Sequence, residues 1–217
     1  LPPEHVVEQA HRQNIAVGVT ATCLREAKLI AAAGADFVVA QGWEAGGHRG
    51  TFTADADDEA LPLLALLRAL SKDLSKPTVA AGGLMNGGDI AKVIAAGATA
   101  AQLGTAFLCC DEAGTPATHR EVLTAAAAET VFTLAFSGRP ARGVRNTFIE
   151  AMAGKPVLPF PQQNTLTGSL RQWAASAEQP GFQSVWSGSG LGGIRPMSAA
   201  QLMATLKHEL ARAAIRS

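Results

Sequence analysis

The sequence lacks several features that would assign it to common functional classes. Its 217 residues carry 18 basic and 18 acidic side chains, so the formal net charge is zero. A neutral chain offers no electrostatic attraction for nucleic acid or an anionic membrane surface. No apolar run reaches the roughly 18 residues that span a bilayer, and no signal-peptide pattern is visible. We therefore expect a cytoplasmic protein without nucleic-acid or membrane partners.

Motifs for metal binding and nucleophilic catalysis are also missing from the sequence. Its three cysteines, Cys23, Cys109 and Cys110, have neither CxxC nor metal-ligand spacing, so we expect buried free thiols in a reducing cytosol. There is no HExxH motif, no zinc spacing and no Ser–His–Asp pattern. The acidic run at residues 55–59 is explained by helix capping and a solvated face. We predict no metal site.

What the chain does contain is a buried-strand pattern joined to a glycine-rich loop at residues 36–50. The apolar run at residues 37–40 ends at Gln41 and is typical of a parallel strand buried on both faces. The loop that follows contains Gly42, Gly46 and His48. In α/β proteins, such a loop at the carboxyl end of a strand is where sites are built.

Strand and helix patterns alternate through the first half of the chain. Apolar spacing and turn residues predict strands over residues 15–20, 37–41, 77–81 and 98–103, and helices over residues 4–13, 24–33, 59–74 and 89–96. Asp57 or Asp58 is the predicted cap of the third helix. This alternation with short connections predicts an α/β fold with a parallel sheet.

Four βα units are too few for a closed (β/α)₈ barrel, which needs eight and roughly 250 residues. Either the sheet is open, or the chain is the C-terminal part of a TIM barrel whose N-terminal strands are absent from it. The first residue is Leu1 instead of methionine, which favours the second interpretation.

The second half of the chain has a different character, and we predict that it is mostly helical. Thr115 is the expected cap, and Pro116 the first turn, of a helix that ends near residue 128. Residues 130–136 fit a strand or buried coil. Ser198 and Gln201 form a capping-box pattern for the last helix. No linker argues for a second domain, so we predict one domain over residues 1–217, with βα units in residues 1–110 and a helical extension in residues 111–217.

Two further strand ends carry glycine: Gly82-Gly83, and Gly104 followed by Thr105. These pairs suit either tight turns or a phosphate held by backbone N–H groups, as in the loops after the last two strands of many TIM barrels. His48 fits either a structural role or proton transfer, since its unperturbed pKa near 6.5 suits a base. Without metal ligands, redox chemistry here requires an organic cofactor, which composition does not name.

Several motifs resemble the nitronate monooxygenases, formerly called 2-nitropropane dioxygenases. The most specific lies at residues 41–52, QGWEAGGHRGTF, and a second, QLGTAFL, lies at residues 102–108. Segments at residues 80–84, 145–148, 159–167 and 186–190 also resemble that family, in the right order. The resemblance therefore extends over most of the chain.

The resemblance implies an FMN-dependent TIM barrel in which His48 is the active-site histidine. It implies that His48 removes the α-proton of a neutral nitroalkane, or holds an anionic nitronate, beside the flavin. FMN is then reduced and O₂ reacts, which gives a carbonyl compound and nitrite. The same resemblance implies that the flavin is bound by eight residues, with Thr20 adding a contact: Gln41, Gly46, Gly82, Gly83, Gln102, Leu103, Gly104 and Thr105.

Members of this family carry additional N-terminal sequence with the opening strands of the barrel. We therefore expect the missing N-terminal half as a separate segment, or a homo-oligomer, to complete the sheet, because buried strand edges need partners. One alternative is an NAD(P)H-dependent FMN reductase of the same superfamily, such as a quinone or enoyl-thioester reductase. Another is a non-catalytic fragment.

Overall fold

The computed structural model describes residues 1–52, 58–125 and 128–215. Within these residues the strands are β1 (Gly18–Ala21), β2 (Phe37–Gln41), β3 (Gly47–His48), β4 (Thr78–Ala81), β5 (Ala100–Gln102), β6 (Thr130–Thr133) and β7 (Ala141–Val144). The helices are α1 (Glu4–Arg12), α2 (Leu24–Ala32), α3 (Leu63–Asp73), α4 (Gly87–Ala95), α5 (Ala117–Thr124), α6 (Thr147–Ala151), α7 (Gln162–Leu166), α8 (Gly168–Ser176) and α9 (Ala199–Ala214). The protein thus has an α/β fold, as the alternating pattern predicts.

The chain forms two compact units. The first comprises Leu1–Glu44, Gly50–Leu103 and Thr205–Ser217, and the second comprises Ala45–Arg49 and Gly104–Ala204. We call them the parallel-sheet unit and the antiparallel-sheet unit. The predictions of a single domain and of a partial barrel stay predictions.

The parallel-sheet unit is built on four parallel strands in the order β1-β2-β4-β5. Helices α2, α3 and α4 lie between successive strands of this sheet, which is the kind of crossover that parallel pairing requires. Its core consists of small and aliphatic side chains, among them Ile30, Val38, Leu66, Leu67 and Leu70, all at most 1% exposed. The leucines of α3 fall on one face because they recur at helical spacing, and they cover the sheet at β2 and β4.

The antiparallel-sheet unit contains a sheet that the sequence patterns do not predict, with strand order β3-β7-β6. The pairing of β6 with β7 selects the strand interpretation for residues 130–133. The two residues of β3 pair with β7, so that Gly47 lies opposite Arg142 and His48 opposite Ala141. This pairing gives the loop histidine a fixed backbone.

Helix α3 begins at Leu63, four residues later than predicted. Asp58 does not cap it, since its carboxylate accepts from the N–H of Ala60, and the alternative cap Asp57 lies outside the described residues. Pro62 has an extended ψ of 146°, and a proline also disfavours helical backbone in the residue before it. The N–H of Leu63 donates to the carboxylate of Glu44 at 2.9 Å.

Helix α5 is also shorter than the sequence pattern predicts. It runs only from Ala117 to Thr124, and Pro116, with ψ of 150°, occupies the capping position instead of the first turn. Thr115 is therefore not the cap, and its carbonyl accepts from the guanidinium of Arg120. Helix α4 begins two residues earlier than predicted, because the side chain of Asn86 accepts from the N–H of Asp89.

The capping box of the last helix is confirmed. The N–H of Ser198 donates to the side-chain oxygen of Gln201 at 3.1 Å, and the N–H of Gln201 donates to the hydroxyl of Ser198 at 3.2 Å. Leu202 and Leu206 on this helix are buried. In the described part of the chain, no helix has both the length and the apolar character needed to cross a bilayer.

Candidate functional site

Five of the predicted cofactor residues lie at one edge of the parallel sheet. Strand register places Gln41 beside Ala81, and Ala81 beside Gln102. Gly82 and Gly83 directly follow Ala81, and Leu103 follows Gln102. Because neighbouring strands lie about 4.8 Å apart, the carboxyl ends of β2, β4 and β5 present these residues side by side.

The turn after β4 requires glycine at both positions. Gly82 has a φ of +125° and Gly83 a φ of +68°, which other L-residues adopt at a cost of about 1–2 kcal/mol. Neither residue has a side chain, and both are only partly buried. The turn thus has the glycine backbone that the sequence suggests, and its contact with a phosphate stays a prediction.

The N-terminus of α4, a few residues further on, already holds an anionic group of the protein. The N–H of Gly87 donates to the carboxylate of Glu209 at 2.8 Å, and Asn86 caps the same helix end. A Cβ at Gly87 would lie 2.2 Å from the backbone nitrogen of Leu210, so this helix end is tightly covered. A cofactor phosphate at this sheet edge would therefore be held by the glycine turn and not by the N-terminus of α4.

Gln41 links the end of β2 to the end of the glycine-rich loop. Its side-chain oxygen accepts from the N–H of Gly50 at 2.8 Å. A Cβ at Gly50 would lie 2.6 Å from a methyl carbon of Thr20. The predicted flavin residues Gln41 and Thr20 thus also have a structural role in closing this loop.

In the antiparallel-sheet unit, His48 forms a hydrogen bond with a serine that sequence reasoning missed. The Nε2 atom of His48 lies 2.8 Å from the hydroxyl oxygen of Ser137. Ser137 is only 1% exposed, whereas His48 keeps an exposed face. The only sequence signal for Ser137 is its place at the start of the Ser-Gly-Arg-Pro turn, residues 137–140, after an apolar run.

Aromatic rings surround the imidazole of His48. The ring centroid of Trp186 lies 5.5 Å from that of His48, and the ring of Phe160 lies 6.4 Å away in an edge-on arrangement. Phe136 packs behind Trp186 at 5.8 Å. The sequence motifs contain Trp186 and Phe160, but nothing in their spacing places them beside His48.

The surroundings of His48 favour its neutral form. Partial burial lowers the pKa of His48 below its ordinary value of 6.5, and the positive charge of Arg139 lowers the pKa further. Both effects disfavour a second proton on the ring. His48 is therefore largely neutral at pH 7 and suited to accept a proton.

Gly46 and Thr105 both lie close to the backbone of Gly188 in the same unit. A Cβ at Gly46 would lie 2.4 Å from the backbone nitrogen of Gly188. The N–H of Gly188 donates to the hydroxyl oxygen of Thr105 at 2.9 Å. Close packing thus explains the glycine at position 46, and Thr105 keeps its hydroxyl proton for a further partner. Gly104 is exposed, with no atom within 4 Å of an added Cβ.

A second histidine, His119, also has a shifted pKa and lies far from His48 in the sequence. Burial lowers the pKa of His119, and a hydrogen bond with the side chain of Gln183 partly offsets that effect. His119 lines a cavity of about 510 Å³ with Thr115 and Leu123. Among the described residues, no group of three or more His, Cys, Asp or Glu side chains is placed to hold a metal ion.

Comparisons with curated proteins give the same family that the motifs suggest. A nitronate monooxygenase from Pseudomonas aeruginosa is 44% identical over 213 residues, which cover 96% of this chain and 61% of that protein. A nitronate monooxygenase from Paraburkholderia phytofirmans is 42% identical, covering 97% of this chain and 58% of that protein. The chain thus spans about three fifths of the length of these relatives.

Two solved structures are similar to this chain over nearly its whole length. The chain is similar to a nitroalkane oxidase from Streptomyces ansochromogenes, with a TM-score of 0.96 and 42% identity, covering 99% of this chain and 63% of that one. It is less similar to FabK from Thermotoga maritima, with a TM-score of 0.81 and 25% identity over 99% of this chain and 67% of that one. The family model for nitronate monooxygenase matches residues 1–209. This chain therefore belongs to the nitronate monooxygenase family.

Proposed function

We propose that this chain carries the catalytic histidine of an FMN-dependent enzyme that oxidises alkyl nitronates or nitroalkanes with O₂. The products are a carbonyl compound and nitrite. The observation that carries the proposal is the environment of His48: a largely neutral imidazole, bonded to buried Ser137 and flanked by aromatic rings. The identities of 42–44% to nitronate monooxygenases support it.

His48 is the general base in this proposal. A neutral nitroalkane loses its α-proton to the imidazole, and the electron pair of the C–H bond stays on the resulting nitronate. A nitronate supplied as the anion needs no such step, because it has already lost the proton. Trp186 and Phe160 offer apolar surface beside the base, which suits an alkyl group.

FMN supplies the redox chemistry, since no side chain of this site can accept two electrons. Gly82 and Gly83 are the residues we propose for its phosphate, because they form a turn without side chains at the carboxyl end of β4. Gln41, Gln102 and Leu103 are the further contacts we propose at the same sheet edge. The predicted contacts of Gly46, Gly104 and Thr105 come from the family resemblance and are part of the same proposal.

The test is the identity of the compound that reduces the flavin. The protein is purified, supplied with FMN and mixed without oxygen with either propyl-2-nitronate or NADH. We expect the yellow absorbance to bleach with the nitronate and to persist with NADH, and readmission of oxygen to release nitrite. Rapid bleaching by NADH would favour the reductase alternative. If the protein carries no flavin absorbance after it is mixed with FMN and separated from unbound FMN, it would be a non-catalytic fragment.

The partners that complete the enzyme are the second part of the proposal. The nitronate and O₂ are its small-molecule substrates, and a separate N-terminal segment or a homo-oligomer would complete the barrel. The mass of the intact native particle, measured together with its visible spectrum, tests both statements. A monomer of 22.3 kDa that binds FMN and turns over nitronate would contradict the need for a partner.

A further inference from the structure

We propose that Ser137 is a positioning residue that holds His48 in the tautomer with its proton on Nε2. The lone pair of the neutral imidazole is then on Nδ1, which makes Nδ1 the basic atom of the proposed reaction. The catalytic consequence rests on the proposed function. The tautomer itself does not, and can be measured on the protein without any substrate.

The hydroxyl of Ser137 has a single proton to donate. The hydroxyl oxygen of Ser137 lies 3.1 Å from the carbonyl oxygen of Arg139, in a geometry for donation to it. The same oxygen accepts from the N–H of Arg139 at 3.3 Å. Because a hydroxyl has one proton and two lone pairs, a serine that donates to Arg139 has one lone pair left. In our proposal that lone pair accepts from Nε2 of His48, which places the single proton of the neutral imidazole on Nε2.

The backbone holds both residues in place for this bond. Ser137 belongs to a turn in which Gly138 has a φ of +77° and lies so close to the carbonyl of Leu158 that a Cβ would be 2.1 Å away. The N–H of Arg49 donates to the carbonyl of Pro140 at 2.9 Å. His48 is itself paired with Ala141 in the sheet. The 2.8 Å contact therefore joins two segments that are already fixed by main-chain bonds.

The chemical consequence is that one hydrogen bond fits both protonation states of the histidine. When Nδ1 takes the α-proton of a nitroalkane, a C–H bond breaks and an N–H bond forms, and the electron pair stays on the nitronate. The Nε2–H of His48 donates to Ser137 before and after this step, so the serine need not move. The opposite tautomer would place a proton on Nδ1 and leave that nitrogen without a lone pair.

The direct test is ¹⁵N NMR of protein labelled at histidine, in the pH range where His48 is neutral. Long-range proton–nitrogen correlations distinguish the two tautomers, and His48→Asn assigns the signal among the five histidines. We expect the Nε2–H pattern in the parent and in Ser137→Thr, which keeps the hydroxyl. In Ser137→Ala we expect the pattern to move towards a mixture. A parent signal with the proton on Nδ1 would overturn the proposal, whatever the activity.

Turnover gives a second readout that a merely structural serine would not produce. Loss of the fixed ring orientation together with the preferred tautomer in Ser137→Ala should lower kcat/KM on neutral nitroethane by about tenfold or more. Activity on pre-ionised ethyl nitronate should stay within about twofold, and Ser137→Thr should restore the neutral reaction. An equal loss on both substrates would contradict a positioning role. If NMR shows the Nε2–H tautomer but the protein does not turn over nitronate, the proposed function is contradicted. The assignment of Ser137 as the residue that sets the tautomer is then still supported.

Discussion

The carboxylate of Glu26 accepts a hydrogen bond from the N–H of Phe52 at 2.9 Å, across 26 positions of the chain. Glu26 is 1% exposed, and it also accepts from the N–H and the hydroxyl of Thr22, at 2.7 and 2.8 Å. Three donors thus satisfy a buried charge. The motif at residues 41–52 is therefore held at its last residue, Phe52, by the side chain of Glu26, which lies outside the motif.

Replacing Glu26 by Gln should therefore destabilise the protein. A glutamine keeps the shape but has one acceptor oxygen, and its amide protons would face N–H groups. We expect a loss of about 2–3 kcal/mol in the free energy of unfolding, seen as a lower midpoint in urea. Glu8→Gln is the control, because its pair with Arg12 is exposed and should contribute little. Equal midpoints for the two variants would contradict this role of Glu26.

Replacing His48 by Asn tests the base directly. The amide cannot take a proton near neutral pH, so kcat/KM on neutral nitroethane should fall by about 10²–10⁴-fold. Turnover of pre-ionised nitronate and the FMN spectrum should change little, since neither needs proton removal. The ratio of the two activities is the measurement, and a variant as active as the parent on the neutral substrate would exclude His48 as the base.

The lowered pKa of His48 predicts how the base responds to pH. A depressed pKa means that the imidazole stays neutral as the pH falls past 6.5, so the basic form persists in mildly acidic solution. An NMR titration of the ring should have its midpoint below 6.5. Removing the charge of Arg139 with Arg139→Gln should raise that midpoint. It should stay below the ordinary value, because burial is the larger cause. A parent midpoint at or above 6.5 would contradict this account.

The sequence predicts the parallel-sheet unit well because each strand there is a local pattern. The apolar run before Gln41 gives β2 with the predicted bounds, and glycines close β4 where expected. Helix ends were less predictable, because they depend on contacts distant in sequence: α3 begins where Glu44 accepts from Leu63. The helix propensity of the acidic residues at positions 55–59 does not reveal the bond between Leu63 and Glu44, which is 19 positions long in sequence.

The surroundings of His48 were unpredictable from sequence for the same reason. Its partner Ser137 lies 89 positions away, and the strands that bring the two together are only two and four residues long. A strand as short as Gly47–His48 has no periodicity to detect. The motif identified the histidine, and tertiary pairing alone identifies its hydrogen-bond partner and its aromatic neighbours.

The glycines proposed to bind FMN fall into two kinds, which substitution by alanine should separate. Gly83 has a φ of +68°, so Gly83→Ala should lower the free energy of unfolding without cofactor by about 1–2 kcal/mol. Gly104 has open space at its Cβ position and no such φ, so Gly104→Ala should leave that stability unchanged. If backbone at position 104 approaches the flavin, the same variant should weaken FMN binding. Fluorescence titration with FMN and urea unfolding measure the two effects.

The control for both variants is Gly168→Ala, at the start of α8, where an added Cβ also has no neighbour within 4 Å. Gly168→Ala should leave FMN affinity unchanged. Its free energy of unfolding should change only by a small gain, because alanine has the higher helix propensity. Unchanged FMN affinity in Gly104→Ala would remove position 104 from the proposed cofactor contacts. Unchanged stability in Gly83→Ala would show that the turn after β4 tolerates a side chain.

Phe160 should influence which nitro compounds are accepted. Its ring lies edge-on to His48 at 6.4 Å and is 51% exposed, so it offers apolar surface to an alkyl chain beside the base. Phe160→Ala removes that surface, and burial of each CH₂ group contributes about 0.8 kcal/mol. We expect KM for 1-nitrohexane to rise several-fold while KM for nitroethane changes little. Leu158→Ala is the matched control, since Leu158 lies in the same loop and is 48% exposed. Equal KM changes for the two nitroalkanes, or the same chain-length effect in Leu158→Ala, would exclude a specific role for the aromatic ring.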